Sequence, residues 1–367
     1  MRKFVSLVFV LIFVVACSDK SRVLMAPEAA QIGTEHKAFV ATLRAPAESG
    51  WFGGDRAASL AYLDLNVAVP PAHDGGKIRL SYKRTDPQNL FTVTGRTDHA
   101  TEAAFVRKLR NRLRTQPSGE RDVMLYVHGY NNSFADGVFR TVQLMHDFDL
   151  PGVGVHYSWP SAAHPLGYAY DRDSVLFGRD GLEKLLRLVG QAKPDRIILV
   201  GHSLGAMMVM ETLRQIEIRS PNWAARHLGG VILVSPDLDV EVFKQQAERF
   251  AKLPSPFIIF VSQKDRALQL SSQINGSKTR LGLLRDASEI SELPVTVVDL
   301  SEFASTSDDR HFTLGTSPLL IQLLRNSPEV SETFDRDAGG RMGIIPGTAI
   351  TVQSATKIIL SPLMLQN

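Results

Sequence analysis

RIILVGHSLGAMMVM, residues 196–210, decides how this chain folds. Ile197 to Val200 form a short apolar run, as expected for a strand covered on both faces. Gly201, His202, Ser203, Leu204 and Gly205 follow, and the pattern then resumes as an apolar helix. A serine between two glycines at such a strand-to-helix turn has a specific use. The turn is too tight for larger neighbours, and the serine is left protruding from it. Gly201 and Gly205 let strand and helix close on each other. Ser203 is the candidate nucleophile, and the backbone N–H of Leu204 points to where an oxyanion would develop.

The same alternation extends on both sides. "DVMLYVHG" (122–129), "GVGVHYSW" (152–159), "GVILVSPD" (230–237), "PFIIFVSQKD" (256–265) and "PVTVVDL" (294–300) read as buried strands. Helical patterns separate them, among them 174–190 and a segment near 240–252. Ser133 with Asp136 three residues on forms a capping box for a helix whose stripe is Ala135, Val138, Phe139, Val142, Met145 and Phe148. Strand–helix alternation of this kind predicts an α/β fold, a mostly parallel sheet flanked by helices. Ahead of it, "AFVATLR" (38–44), "SLAYLDLNVAV" (59–69), "KIRLSY" (77–82) and "FTVTG" (91–95) predict an antiparallel lead-in, and 100–114 an amphipathic helix. "GTAITVQSATKIIL" (347–360) reads as two β segments without an assigned place.

In an open parallel sheet, functional groups collect at the carboxyl ends of strands. A serine nucleophile needs a base oriented by a third group, in the chain order serine, acid, histidine. His227 precedes its strand and so falls at the wrong end of the sheet. His311, in "STSDDRHF" after the last strand, is the candidate base. Asp265 ends its strand in "FVSQKDRAL" and is the favoured acid; Asp237 and Asp239 in "SPDLD" hold the next best position. A second oxyanion donor is expected from the loop after "LYVHG", where Gly129 permits close approach and Tyr130 supplies the N–H. His128 and His202 read as supports, and Trp159, Tyr168 and Tyr170 as either pocket walls or loop packing.

These segments, with "LYVHGYNNSFADGVFRTVQLMHD", "YSWPS" and "HFTLGTSP", resemble one family of bacterial α/β-hydrolases in the esterase/lipase superfamily, long classed as a domain of unknown function. The similarity spans about residues 38–325. It implies the α/β-hydrolase fold and a serine hydrolase with Ser203, Asp265 and His311 as catalytic residues. No substrate comes with it.

The N-terminus reads "MRKFVSLVFVLIFVVACSDK". Arg2 and Lys3 precede an apolar stretch too short to span a bilayer, as in a secretory signal. Cys17, the only cysteine, follows Ala16 and resembles the lipidation site of bacterial lipoproteins. The expected organisation is a signal peptide over 1–16, a tether over 17–36, the hydrolase domain over 37–327 and a C-terminal extension over 328–367 packed on it. A lipid anchor in the bacterial envelope is expected, with Ser18 after the cysteine favouring the outer membrane.

Composition is that of a globular protein, 44% apolar and 22% charged. The formal charge of +3 includes Arg2 and Lys3, so nothing argues for nucleic acid. Ten histidines stand singly without zinc-ligand spacing, and a serine mechanism needs no cofactor or metal. The expected partner is a small-molecule acyl substrate, an ester of small to medium size at an open site, because only about eighteen residues between Asp237 and Pro256 are available for a cap. The alternatives are an acyltransferase with the same residues and a binding lipoprotein that has kept the fold without turnover.

Overall fold

The computed structural model describes residues 23–276, 279–305, 307, 309–325, 348–352 and 354–360. Cys17 and the signal segment lie outside them, as does most of the C-terminal extension. Among the described residues no helix is long and apolar enough to cross a membrane.

One eleven-stranded sheet organises the molecule. Its lead-in is β1 (Thr34–Pro46), β2 (Phe52–Val69) and β3 (Thr92–His99), antiparallel to one another. Helix α1 (Glu102–Arg114) follows, then β4 (Val123–Val127), α2 (Phe134–Asp147), β5 (Val153–Ser158), α3 (Tyr168–Gln191) and β6 (Ile197–His202). Next come α4 (Leu204–Arg219), α5 (Trp223–His227), β7 (Gly230–Val234), α6 (Val240–Ala247), β8 (Phe257–Val261), α7 (Arg266–Asn275) and β9 (Thr296–Asp299). The described chain ends with α8 (Thr313–Thr316), α9 (Pro318–Arg325), β10 (Thr348–Val352) and β11 (Ala355–Ile359). The strand order is β10-β11-β9-β8-β7-β6-β4-β5-β1-β2-β3. From β11 through β1 neighbouring strands run parallel, so the antiparallel pairs are confined to the two ends.

The continuous apolar strands are explained by two cores. Because side chains alternate, Val123, Leu125 and Val127 of β4 join the core under α1, α3 and α4, whereas Met124 and Tyr126 join the one on the opposite face. Strands β7 and β8 divide the same way: Val231, Leu233, Phe257, Ile259 and Val261 on the first face, Ile232, Val234, Ile258 and Phe260 on the second. Each fully buried large side chain contributes about 1.5–3 kcal/mol. Helix α2 begins with the capping box, Ser133 Oγ accepting from Asp136 N–H and the Asp136 carboxylate accepting from Ser133 N–H at 2.8 Å.

Two expectations about organisation change, and an unplaced pair of segments finds its position. "KIRLSY" (77–82) forms no strand; it runs as a loop whose Ile78, Leu80 and Tyr82 pack against the core beneath α2, which accounts for its alternating pattern. The tether expected over 17–36 is built into the domain from residue 23. Val23 and Ala29 are buried, Met25 bridges to Val93 of β3, and Pro27–Gln31 form a short 3-10 helix. The two β segments near the C-terminus form a hairpin, and β11 pairs parallel with β9, extending the sheet.

Candidate active site

Ser203 sits between β6 and α4 with φ 54° and ψ −122°, a left-handed conformation rare for a residue with a side chain. Its surroundings hold it there. Ser203 N–H donates to Val234 O at 3.0 Å, and Asp237 N–H donates to Ser203 O at 3.2 Å. The glycines are sterically required. A Cβ on Gly205 would lie 2.3 Å from His128 O, and one on Gly201 2.8 Å from Ala206 Cα. Such a strained backbone is tolerated where the fold over-determines it.

His311 reaches this elbow from the segment after β9. Its Nδ1 lies 2.8 Å from Asp265 Oδ2, and Asp265 is fully buried. Asp265 Oδ1 meanwhile caps α7, accepting from Leu268 N–H at 3.0 Å. One carboxylate therefore fixes both a helix start and an imidazole. Burial by itself would lower the His311 pKa. The charge and hydrogen bond of Asp265, assisted by Asp309 and Asp237, outweigh it and hold the group above its ordinary value.

His202 supports the same segment. Its Nε2 lies 3.2 Å from His311 O, and its ring packs 4.8 Å from that of His311 and 4.4 Å from that of Phe312. Burial and the neighbouring His311 keep His202 well below the usual histidine range, so the neutral ring donates from Nε2. No hydrogen bond joins Ser203 Oγ to His311 in this arrangement, as is common before substrate binds.

Asp237 is occupied elsewhere. It accepts from Tyr168 Oη at 2.8 Å and Ser271 Oγ at 2.6 Å and is ion-paired to buried Arg280 at 3.2 Å. Asp239 caps α6, accepting from Glu241 N–H.

The loop after β4 lies directly against the serine: a Cβ on Gly129 would fall 2.8 Å from Ser203 Cβ. Around it is a brace that linear reading misses. Arg44, buried on β1, donates to Ser158 Oγ, Gly53 O, Ser161 O and, at 2.7 Å, Asn132 O. Burial lowers its pKa to about 10, which leaves it cationic at neutral pH. Its Nη2 also lies 3.2 Å from His128 Nε2. The same Nε2 lies 3.1 Å from Trp159 O, and Nδ1 lies 2.8 Å from Gly129 O. Burial, Arg44 and His156 all keep that imidazole uncharged.

Asp171 of α3 completes the brace. It accepts from Asn131 N–H at 3.1 Å, Ala162 N–H at 2.7 Å and Ser161 Oγ at 2.6 Å. Between these pinned neighbours, Tyr130 N–H has no acceptor among the described residues, and neither does Leu204 N–H. Two unspent amides thus flank the serine, which is the requirement for holding an oxyanion.

Trp159 is fully buried. It stacks on His128 at 4.7 Å and donates from Nε1 to His128 O at 2.7 Å, so it supports the loop rather than walling a pocket. Tyr170 lies under Arg56 and bonds to Gly54 O. Tyr168 packs edge-on to Tyr130 at 5.5 Å, beside the site. Ser203 itself is 2% exposed, and the side chain of His311 18%. In the excursion after β8, α7 and two 3-10 turns fold back onto the strand ends, with Gly282 O accepting from Ser262 N–H and Leu238 O from Leu281 N–H.

A sheet with a strained serine elbow after a central strand defines the class of α/β-hydrolases. Residues 101–327 match the family model described as an alpha/beta hydrolase of unknown function, DUF900, and the chain belongs to that family. Among solved structures, it is similar to a predicted CIB-like hydrolase from Thermoplasma acidophilum, at 18% identity over 58% of this chain and 90% of that one, TM-score 0.34. A putative hydrolase from Agrobacterium vitis S4 is 13% identical over 77% and 96%, TM-score 0.35. An esterase from Pyrococcus furiosus is 11% identical over 44% and 71%, TM-score 0.23. A search of curated proteins found no significant match.

Proposed function

We propose that the protein is a serine hydrolase of carboxylesterase type, acting on small to medium acyl esters. The observation that carries this reading is the 2.8 Å contact of His311 Nδ1 with buried Asp265, on a segment packed against the Ser203 elbow. Ser203 Oγ attacks the acyl carbon while His311 takes its proton at Nε2. Asp265 keeps the proton on Nδ1 and stabilises the imidazolium without itself becoming protonated. Tyr130 and Leu204 N–H groups receive the carbonyl oxygen as it turns anionic. His311 then returns its proton to the departing alcohol. Water, activated by the same imidazole, releases the acid from the acyl-enzyme. None of these steps calls for a cofactor.

Exposed Leu166, and Leu270 and Ile274 one turn apart on α7, supply apolar surface on segments adjoining Tyr168. We place the enzyme in the bacterial envelope, lipid-anchored through Cys17, on the sequence alone.

The test is labelling by a fluorophosphonate serine probe in wild type, Ser203→Ala and His311→Ala. Losing either group of a working triad costs on the order of 10⁴ to 10⁶ in rate, so labelling should vanish in both variants. A folded wild type that fails to label would refute the reading and favour a binding protein on a hydrolase scaffold.

A further inference from the structure

Three imidazoles and a carboxylate converge at the end of α2 farthest from the serine. His36 comes from β1, His73 from the turn after β2, and His146 and Asp147 from the last turn of α2. With fourteen residues in α2, this cluster lies roughly 20 Å from the oxyanion loop. His36 Nε2 is 3.0 Å from His146 Nδ1, and His73 Nε2 is 2.6 Å from Asp147 Oδ1. The ring of His146 lies 5.1 Å from that of His36 and 5.5 Å from that of His73. One donor atom from each of His73, His146 and Asp147 falls within 4.8 Å of the other two.

The contacts point the donor atoms at one another. The His73 side chain is 7% exposed, and its Nε2 faces Asp147 Oδ1. Asp147 Oδ2 is taken by Gly76 N–H at 2.6 Å and by Gln143 Nε2, which leaves Oδ1 for an ion. Ligating carboxylates and histidines are held by such outer partners, and the His36 contact gives His146 the same kind of support.

We propose that His73, His146 and Asp147 bind a first-row transition-metal dication, Zn²⁺ fitting best, with His36 orienting His146. Two imidazoles and a carboxylate are a borderline-soft donor set, suited to Zn²⁺ and poorly suited to Mg²⁺ or Ca²⁺. Tetrahedral bonds of about 2.0–2.1 Å put ligand atoms roughly 3.3 Å apart, so His73 Nε2 and Asp147 Oδ1, now 2.6 Å apart, would open slightly while His146 adjusts from within 4.8 Å. A fourth position remains for water. The last turn of a helix, with its partial negative charge, is a favourable place for a cation. Occupied, the site would tie β1, the 70–91 segment and α2 together, and its role would be structural.

The experiment uses the full chain, purified without a histidine tag and stripped with a chelator, then titrated with Co²⁺ and Zn²⁺ by calorimetry and visible absorption. One ion per chain is expected, with the d–d absorption of a nitrogen- and oxygen-ligated Co²⁺, displaced by Zn²⁺ and unaffected by Mg²⁺ or Ca²⁺. Zn²⁺ should also raise Tm. His73→Gln, a conservative change in a loop, should weaken binding at least about tenfold, with far-UV circular dichroism confirming its fold. Asp147→Asn should do the same, while His227→Gln leaves binding intact. A wild type that takes up neither ion, or a folded His73→Gln that binds as tightly as wild type, overturns the proposal.

Discussion

Two loops meet at Ser203, each bringing a histidine with the opposite charge for company. On the segment after β9, His311 faces the Asp265 carboxylate, which lifts its pKa above the ordinary value despite burial. On the loop after β4, His128 is buried and faces the Arg44 guanidinium, which together with that burial keeps it neutral. The first imidazole is suited to accept a proton and hold it; the second cannot hold one and serves as a strut. On the proposed mechanism, what separates a base from a brace is the sign of the neighbouring charge, since both rings lie within the same few strand ends.

The strongest way to break this contrast is Asp265→Asn. Asparagine also caps helices, so α7 keeps its start and the change falls on His311. With the tautomer no longer fixed, turnover should drop about 10³- to 10⁴-fold. The pH profile sharpens the test. In wild type the rate rises with pH as His311 loses its proton, with the midpoint above 6.5, because the base is raised. In the variant the midpoint of the residual rate should move to lower pH. A midpoint that stays in place would remove Asp265 from the mechanism.

The next break falls on the other loop. Arg44→Met leaves Gly53, Ser161 and Asn132 carbonyls without their donor and should cost about 3 kcal/mol in urea unfolding. With the Tyr130 amide less firmly placed, kcat should fall about tenfold or more while His311 keeps its pH midpoint. A shifted midpoint would show the two loops to be coupled rather than separate.

The smallest effect is expected of Asp237→Asn. Asp237 is engaged by Tyr168, Ser271 and Arg280 and lies outside hydrogen-bond contact with His311, so activity should change by less than about tenfold. Stability should suffer more, because buried Arg280 loses its counter-charge. A loss as large as that of Asp265→Asn would exchange the roles of the two aspartates.

The same contrast explains how much was legible in the sequence. The strand–helix alternation and the serine turn are carried by contiguous residues, and strand burial follows from unbroken apolar runs. Pairing His311 with Asp265 needs only chain order and the rule that strand ends converge. Arg44 is different: it reads as one basic residue in an ordinary strand, and its partners lie up to 117 positions away. Asp171 likewise looks like a surface residue at a helix start. The His36, His73 and His146 cluster has no linear signature, because β1, a turn and a helix end each contribute separately. "KIRLSY" misled for the reverse reason: its alternation reflects packing of a loop on the core, without strand pairing.

The strand order carries a consequence for reach. β6, which delivers Ser203, is the middle strand of the eleven, five places from either edge. Strands are spaced about 4.8 Å apart, so Ser203 stands roughly 24 Å inward from each edge. Val23 and Met25 enter the fold at the β3 edge. A molecule moored to a surface through the residues before Val23 would therefore be held by its rim, with its reactive centre offset sideways from the mooring by nearly half the molecule's width.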